Sequence, residues 1–156
     1  MTKNKVVVGV DGSWPSIEAL RIAAQYAQLL STGLKVVTTW NYQPYEYDAG
    51  PWDPKRDAED MGAHTARMAF GADVPEWVTL VTKQGPAGET LVEESKDAAL
   101  LVVGSRGRTA LTGLLLGSVS THCAEHAFCP VLVVHEGDRE RVSQLVDTAG
   151  AANLAS

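Results

Sequence analysis

The chain has few cysteines, no surplus of cationic residues and no long hydrophobic run, and each shortage excludes a class of protein. It contains only two cysteines, Cys123 and Cys129, without CxxC spacing, so we expect reduced thiols in a cytoplasmic protein. Its 13 Lys and Arg against 19 Asp and Glu give a net charge of −6, which argues against nucleic acid as a partner. No segment reaches the roughly eighteen apolar residues of a membrane span, and the amino terminus lacks the apolar core of a signal peptide, so we expect no membrane partner.

Two common nucleotide-binding motifs are also absent from the sequence. No Gly-Lys dipeptide occurs, which excludes a P-loop, and no GxGxxG occurs, which excludes the dinucleotide fingerprint. Without the P-loop lysine and its magnesium-holding aspartate, fast phosphoryl transfer has little support. We therefore assign no catalytic residue and no metal ligand, and expect turnover to be slow or absent.

What the sequence does contain is a regular alternation of strand and helix patterns. At 156 residues, with 45% hydrophobic and 21% charged residues, the chain has the size and composition of one globular domain. Apolar β-branched runs predict strands, and apolar residues at helical spacing predict helices between them. The predicted strands are residues 6–10, 34–40, 77–83, 99–103 and 130–134, and the predicted helices are residues 16–31, 57–70, 86–96 and 116–128.

This alternation predicts a single-domain α/β protein, a three-layer α/β/α sandwich around a five-stranded, mostly parallel sheet. Ligands of such sheets bind beyond the carboxyl ends of the strands, where the strand order reverses. We therefore expect the functional site just after Val10, Thr39 and Val103. Residues 137–156 are polar and then Ala-rich, and predict a loose helix or a flexible tail.

The strongest local signal is a glycine-spaced segment that follows the fourth predicted strand. It begins with Gly-Ser-Arg-Gly-Arg at residues 104–108 and continues to Gly117 and Ser118, which open a helix with unpaired first-turn amides. Arg106 and Arg108 would add positive charge beside a bound anion. The segment predicts a phosphate cradle, and the alternative is a glycine-rich loop that binds nothing.

The residues of this segment resemble the universal stress protein family, whose ATP-binding members carry G-x2-G-x9-G-[ST] after the fourth strand. The resemblance covers about residues 4 to 135 and implies a domain of residues 1–136. It also implies a Rossmann-like fold of the adenine nucleotide alpha hydrolase type, with strand order 3-2-1-4-5. The matching residues are Gly104, Gly107, Gly117 and Ser118 at that spacing, the opening VGVDGS at 8–13, the GPA step at 85–87 and the closing CPVLVV at 129–134.

The resemblance implies a role for particular positions. Asp11 would lie beside the nucleoside, with a turn or helix-cap carboxylate as the alternative. Thr39 and Trp40 match the stretch whose backbone pairs with the adenine edge. The other candidate binding residues are Gly9 and Val10 in the nucleoside pocket, and Val103, Gly104, Arg106, Gly107, Arg108, Gly117, Ser118 and Val119 around the ribose and phosphates.

The resemblance further implies ATP as ligand, with Mg²⁺ held through the phosphates, and a homodimer formed through the last strand, Val131–Val134. We expect a nucleotide-dependent regulatory or stress-response switch that acts on an unidentified partner. Two alternatives remain at this point. One is a weak ATPase or nucleotidyl-transfer enzyme in which Asp11 and Ser118 organise Mg-ATP, and the other is a nucleotide-free interaction module.

Two further patterns are given structural interpretations. His122, Glu125 and His126 satisfy the H-x-x-E-H signature of some zinc proteases, but few residues remain downstream to supply a third ligand. We interpret the match as chance on a solvated helix face. Glu93 and Glu94 are expected to form a solvated helix end.

Overall fold

A computed structural model describes residues 5–41, 51–107 and 116–155. Its five strands are β1 (Lys5–Gly9), β2 (Leu34–Trp40), β3 (Val78–Gln84), β4 (Ala98–Gly104) and β5 (Val131–Val134). They form one sheet in which all neighbouring strands are parallel, with the order β3-β2-β1-β4-β5. Both the α/β class and the strand order are as expected from the sequence.

Helices cover both faces of the sheet, as the three-layer prediction requires. The helices are α1 (Trp14–Leu29), α2 (Pro54–Phe70), α3 (Ala87–Glu94, followed by a 3₁₀ turn at Ser95–Asp97), α4 (Ser118–His126) and α5 (Asp138–Ala155). One face of the sheet packs against α1, α2 and α5 through a core that includes Val6 and Val8. The other face packs against α3 and α4 through a second core that includes Val7 and Val37.

The central strand β1 explains why the sheet is buried on both sides. Val6, Val7 and Val8 are at most 2% exposed, and successive side chains of a strand point to opposite faces. An unbroken β-branched run is therefore the sequence that a doubly covered parallel strand requires. The register pairs Val8 with Val36 of β2 on one side and with Val102 of β4 on the other.

Helix ends differ from the prediction by up to one turn. Helix α2 begins at Pro54 rather than at residue 57, because Asp53 caps it: Oδ1 accepts hydrogen bonds from Lys55 N at 3.1 Å and Arg56 N at 3.2 Å. A proline at the first helical position fits this start, since its missing N–H has no intrahelical partner there. Helix α4 is shorter than predicted, since it begins at Ser118 and not at residue 116.

The carboxyl-terminal segment forms a helix that lies on α1. Gln25 Nε2 donates a hydrogen bond to Ser143 Oγ at 3.0 Å, and Val142 packs against the core. The segment is therefore helical, one of the two forms that the sequence predicts for it, while its flexibility and the domain limit at residue 136 stay predictions. In the described ranges, none of the helices is long and apolar enough to cross a membrane.

Glu94 is not part of a solvated helix end, which corrects the sequence-based interpretation. Its side chain is 12% exposed and binds Lys35 Nζ of β2 at 2.8 Å and Lys83 Nζ of β3 at 3.4 Å. Burial by itself would raise the pKa of this carboxyl, but the hydrogen bonds and charges of the two lysines outweigh it and lower the pKa below its ordinary value. The two ion pairs tie α3 to the β2–β3 edge of the sheet.

We expect Glu94→Gln to lower the free energy of unfolding by about 1 kcal/mol at pH 7. Because the folded-state pKa lies below the ordinary value of 4.5, the advantage of the wild type is full above that pH. It is lost as the pH falls through the folded pKa. Urea denaturation between pH 7 and pH 3 measures the difference.

Glu93→Gln is the matched control, since Glu93 is 68% exposed and pairs with Lys96, whose side chain is also exposed. It should change stability by less than about 0.5 kcal/mol. Equal effects of the two substitutions would contradict the special role of Glu94.

Candidate functional site

A cavity of about 740 Å³ opens beyond the carboxyl ends of β1, β2 and β4. The strand order reverses at β1, since the chain places β2 on one side of it and β4 on the other. The connections leave these strands in opposite directions, which opens a crevice at this edge of the sheet. Most of the predicted binding residues line the cavity: Gly9, Val10, Asp11, Thr39, Val103, Gly104, Arg106, Gly107, Gly117, Ser118 and Val119.

Two predicted positions are not in this wall. Trp40 lies outside the cavity wall that the described residues form. Its carbonyl oxygen accepts a hydrogen bond from Gly85 N at 2.9 Å, because the end of β2 is still paired with the end of β3 there. Arg108 lies outside the described residues.

Asp11 has a structural role in the turn that follows β1, and it also lines the cavity. Its Oδ1 accepts hydrogen bonds from Ser13 N at 3.0 Å and from Ser13 Oγ at 2.5 Å. Ser13 Oγ in turn accepts from Ser16 N at 3.3 Å and so caps α1. Asp11 is therefore a turn carboxylate, as the alternative interpretation had it, and this role fixes its direction at the cavity wall.

Gly107 packs against the second oxygen of the same carboxylate. A Cβ placed on Gly107 would lie 2.6 Å from Asp11 Oδ2, closer than van der Waals contact permits. The glycine loop after β4 and the turn after β1 therefore meet directly across the cavity. A similar need for space applies at Gly9, where a Cβ would lie 2.5 Å from Leu91 Cδ1.

The start of α4 is the part of the cavity best suited to an anion. Thr121 N makes a helical hydrogen bond to Gly117 O at 3.0 Å, and among the described residues no side chain caps this helix. The amides of Ser118 and Val119 precede this bond, so they have no acceptor within the helix. Free amides and the positive end of the helix dipole favour a negative group here.

The amide of Gly117 is already bonded within the protein. The predicted phosphate cradle therefore has one fewer backbone amide to offer a ligand. Gly117 N donates to Ser105 O at 2.7 Å, and Ser120 Oγ donates to the same oxygen at 3.1 Å. Ser105 N donates to Val134 O of β5 at 2.8 Å. The backbone of Ser105 thus fixes the start of α4 to the edge of the sheet.

Several lining residues were not found from the sequence, and most of them lie on helices. One signal was available, because residues three, four and seven positions after Ser118 share its face of the helix. Met61 on α2 and Leu91 on α3 depend on how those helices approach the sheet and carry no motif, whereas Ala87 is the last residue of the GPA step at 85–87. The unpredicted lining residues are Ser16, Val37, Thr38, Met61, Ala87, Leu91, Leu116, Ser120, Thr121, His122 and Glu125.

The three residues of the H-x-x-E-H pattern on α4 differ in exposure. Glu125 and His126 are 66% and 56% exposed at their side chains, as expected for a solvated face. His122 is half-buried instead, because it packs against Gly88 of α3. No group of three or more His, Cys, Asp and Glu residues that could hold a metal ion occurs in the described part of the chain.

Cys123 and Cys129 lie in and beside the core under α3 and α4, and neither is in a disulfide bond among the described residues. Burial, joined by the nearby Cys129, raises the pKa of the Cys123 thiol to about 11. Cys123 is therefore protonated at neutral pH and is a poor nucleophile.

We expect Gly107→Ala to lower the free energy of unfolding by about 1 kcal/mol, because the added methyl group must displace the Asp11 carboxylate from the turn that caps α1. Chemical denaturation measures the loss. Gly117→Ala is the control, since a Cβ there would lie at an ordinary 3.5 Å from Ser105 O and the backbone angles suit alanine. Equal stability of the Gly107→Ala variant and the wild type would contradict the packing described for this pair.

Comparisons with known proteins agree with this geometry. The model of the universal stress protein family matches residues 3–135. A universal stress protein of Mycobacterium tuberculosis is 38% identical over 142 residues, which cover 85% of this chain and 48% of that protein. A relative from Mycolicibacterium smegmatis is 31% identical over 147 residues, 88% of this chain and 50% of its own. The chain thus spans about half the length of the curated relatives it matches.

Solved structures share the fold. The crystal structure of a universal stress protein in complex with cAMP has a TM-score of 0.66 and 29% identity, and the match covers 85% of this chain and 97% of that one. The structure of the Archaeoglobus fulgidus universal stress protein in complex with dAMP has a TM-score of 0.60 at 20% identity, with 86% and 100% coverage. Both of these neighbours hold an adenine nucleotide. The topology, the glycine loop and the family match together establish that this chain belongs to the universal stress protein family.

Proposed function

We propose that this chain binds an adenine nucleotide, with ATP and its Mg²⁺ as the physiological ligand, and acts as a regulatory switch in a stress response. The observation that carries the proposal is the cavity in which three strand ends, the glycine loop and the start of α4, which no described side chain caps, come together. A volume of about 740 Å³ lies in the range of small-molecule and cofactor sites. The relative that is 29% identical and holds cAMP supports an adenine nucleotide over other anions.

The walls of the cavity indicate how the ligand would be held. The phosphates would meet the amides of Ser118 and Val119, with the guanidinium of Arg106 on the same side. The ribose would lie near Asp11, which Ser13 orients. Mg²⁺ would be held through the phosphates, where it neutralises their charge.

The same residues favour holding the nucleotide over cleaving it. One oxygen of Asp11 already accepts two hydrogen bonds from Ser13, so this carboxylate is committed to the turn. The glycine loop supplies backbone groups and no P-loop lysine, which leaves little to stabilise the charge of a transferring phosphoryl group. We therefore propose that occupancy itself is the signal, read by a regulatory partner in the cytoplasm.

We expect Gly117→Glu to weaken ATP binding at least about tenfold, because it places a carboxylate beside the phosphate site. Gly117→Ala should bind like the wild type, since its methyl group meets only ordinary contacts. Calorimetric titration with Mg-ATP measures both variants. Mass analysis of nucleotide released from freshly denatured wild-type protein identifies the natural ligand.

Wild-type protein that carries no nucleotide and shows no thermal shift in millimolar Mg-ATP would refute the proposal and favour the nucleotide-free interaction module. Steady release of ADP that Gly117→Glu abolishes would instead favour the weak ATPase. Neither result follows from a switch that only holds nucleotide.

We also propose a homodimer formed through β5. This strand is at the edge of the sheet, and an exposed apolar edge requires a cover. Phe128, which precedes the strand, is 56% exposed and would add apolar area to the interface.

Val133→Lys should convert the dimer to a monomer, since an edge lysine opposes strand pairing. Light scattering coupled to size-exclusion chromatography measures the mass. Leu145→Lys is the control, because Leu145 is 66% exposed and lies on α5 and not on the strand. A dimer that persists in Val133→Lys would contradict this interface.

A further inference from the structure

We infer that Met61 of α2 is the side chain on which the nucleotide base packs, and that it sets the preference for a flat aromatic ring at this end of the cavity. The inference rests on the proposed nucleotide-binding function. Met61 belongs to no part of the glycine motif and lies far from it along the chain. It nevertheless lines the same cavity as Asp11 and Gly107.

The position of the Met61 side chain is defined by the turn after β1. A Cβ placed on Gly12 would lie 3.1 Å from Met61 Cγ and 3.2 Å from its Sδ. The thioether therefore rests on the residue that directly follows Asp11. Gly12 has φ +80°, so glycine is favoured there by its backbone as well as by the space that Met61 takes.

Gly62 acts as a positioning residue for Met61. A Cβ on Gly62 would lie 2.8 Å from Thr38 Oγ1 of β2, which is closer than a real side chain tolerates. Glycine at this point lets α2 approach the carboxyl end of β2. That approach brings the preceding residue, Met61, to the cavity wall.

The positions of the charged groups along the cavity assign this end to the base. Arg106 and the first amides of α4 lie on the β4 side of β1. The charged lining residues Asp11 and Glu125 also lie at the end of β1 and on α4, and Glu125 is about two turns along α4 from those amides. On the β2 side, the described lining residues Val37, Thr38, Thr39 and Met61 are uncharged. A nucleotide that lies across β1 would therefore place its phosphates towards β4 and its base towards β2. A flexible, polarisable thioether packs well against an aromatic ring.

The test compares Met61→Ala with Met68→Ala in the full chain. Met68 is on the same helix, is 44% exposed and lies outside the cavity wall of the described residues. Calorimetric titrations use three probes: ATP, adenosine and inorganic tripolyphosphate. We expect Met61→Ala to weaken ATP and adenosine by about three- to tenfold and to leave tripolyphosphate unchanged. Met68→Ala should bind all three like the wild type.

Two further substitutions separate packing from misfolding. Met61→Gln keeps the length of the side chain but replaces the thioether with an amide, and should weaken adenosine as Met61→Ala does. Met61→Leu conserves volume and apolar character, and should bind adenosine within about twofold of the wild type. Gly62→Ala should weaken adenosine too, because it moves α2 away from β2.

The outcomes distinguish this inference from the proposed function. Wild-type protein that binds neither ATP nor adenosine would overturn both. Wild-type binding that Met61→Ala and Met61→Gln leave unchanged would overturn only the role of Met61. A loss of tripolyphosphate binding equal to the loss of adenosine binding would also overturn it, since the side chain would then affect the phosphate end.

Discussion

The reversal of strand order at β1 is the constraint on which the site depends. A strand with a neighbour on each side and a helical layer on each face favours a continuous apolar run, and Val6, Val7 and Val8 provide it. The chain reaches β2 and β4 by connections that leave in opposite directions, which leaves a crevice beyond the end of β1. The cavity, the turn at Asp11 and the glycine loop are all arranged around this opening.

Glycines, which have no side chain, shape the walls of the cavity as much as the larger residues do. At Gly9 and Gly107 a single methyl group would collide with Leu91 or with Asp11. On the β4 side, the glycine loop and the first turn of α4 bring backbone amides to the cavity beside the side chains of Arg106 and Ser118, which suits a ligand group that needs many hydrogen-bond donors in a small space. The β2 side consists of side chains carried by β2 and α2, which suits a group that needs contact area.

The sequence was sufficient for the parts of the molecule that follow from local pattern. The buried strands, their order through the family likeness, and a helix that opens close to Gly117 could be predicted, because apolar runs and glycine spacing depend on neighbouring residues. Met61 could not be predicted, since its place depends on the contact between Gly62 and Thr38, which are far apart along the chain. The burial of Glu94 on α3 was missed for the same reason, because its two lysine partners come from β2 and β3.

The backbone of Ser105 makes hydrogen bonds whose presence cannot be recognised from the residue type at this position. Its N–H binds β5 and its C=O binds the start of α4, so neither bond involves the serine side chain. Any residue except proline, which lacks the N–H, can make both bonds. The hydrogen bonds that hold the start of α4 to the sheet can thus be retained when the residue at this position changes during evolution. The identity of that residue carries almost no information about them.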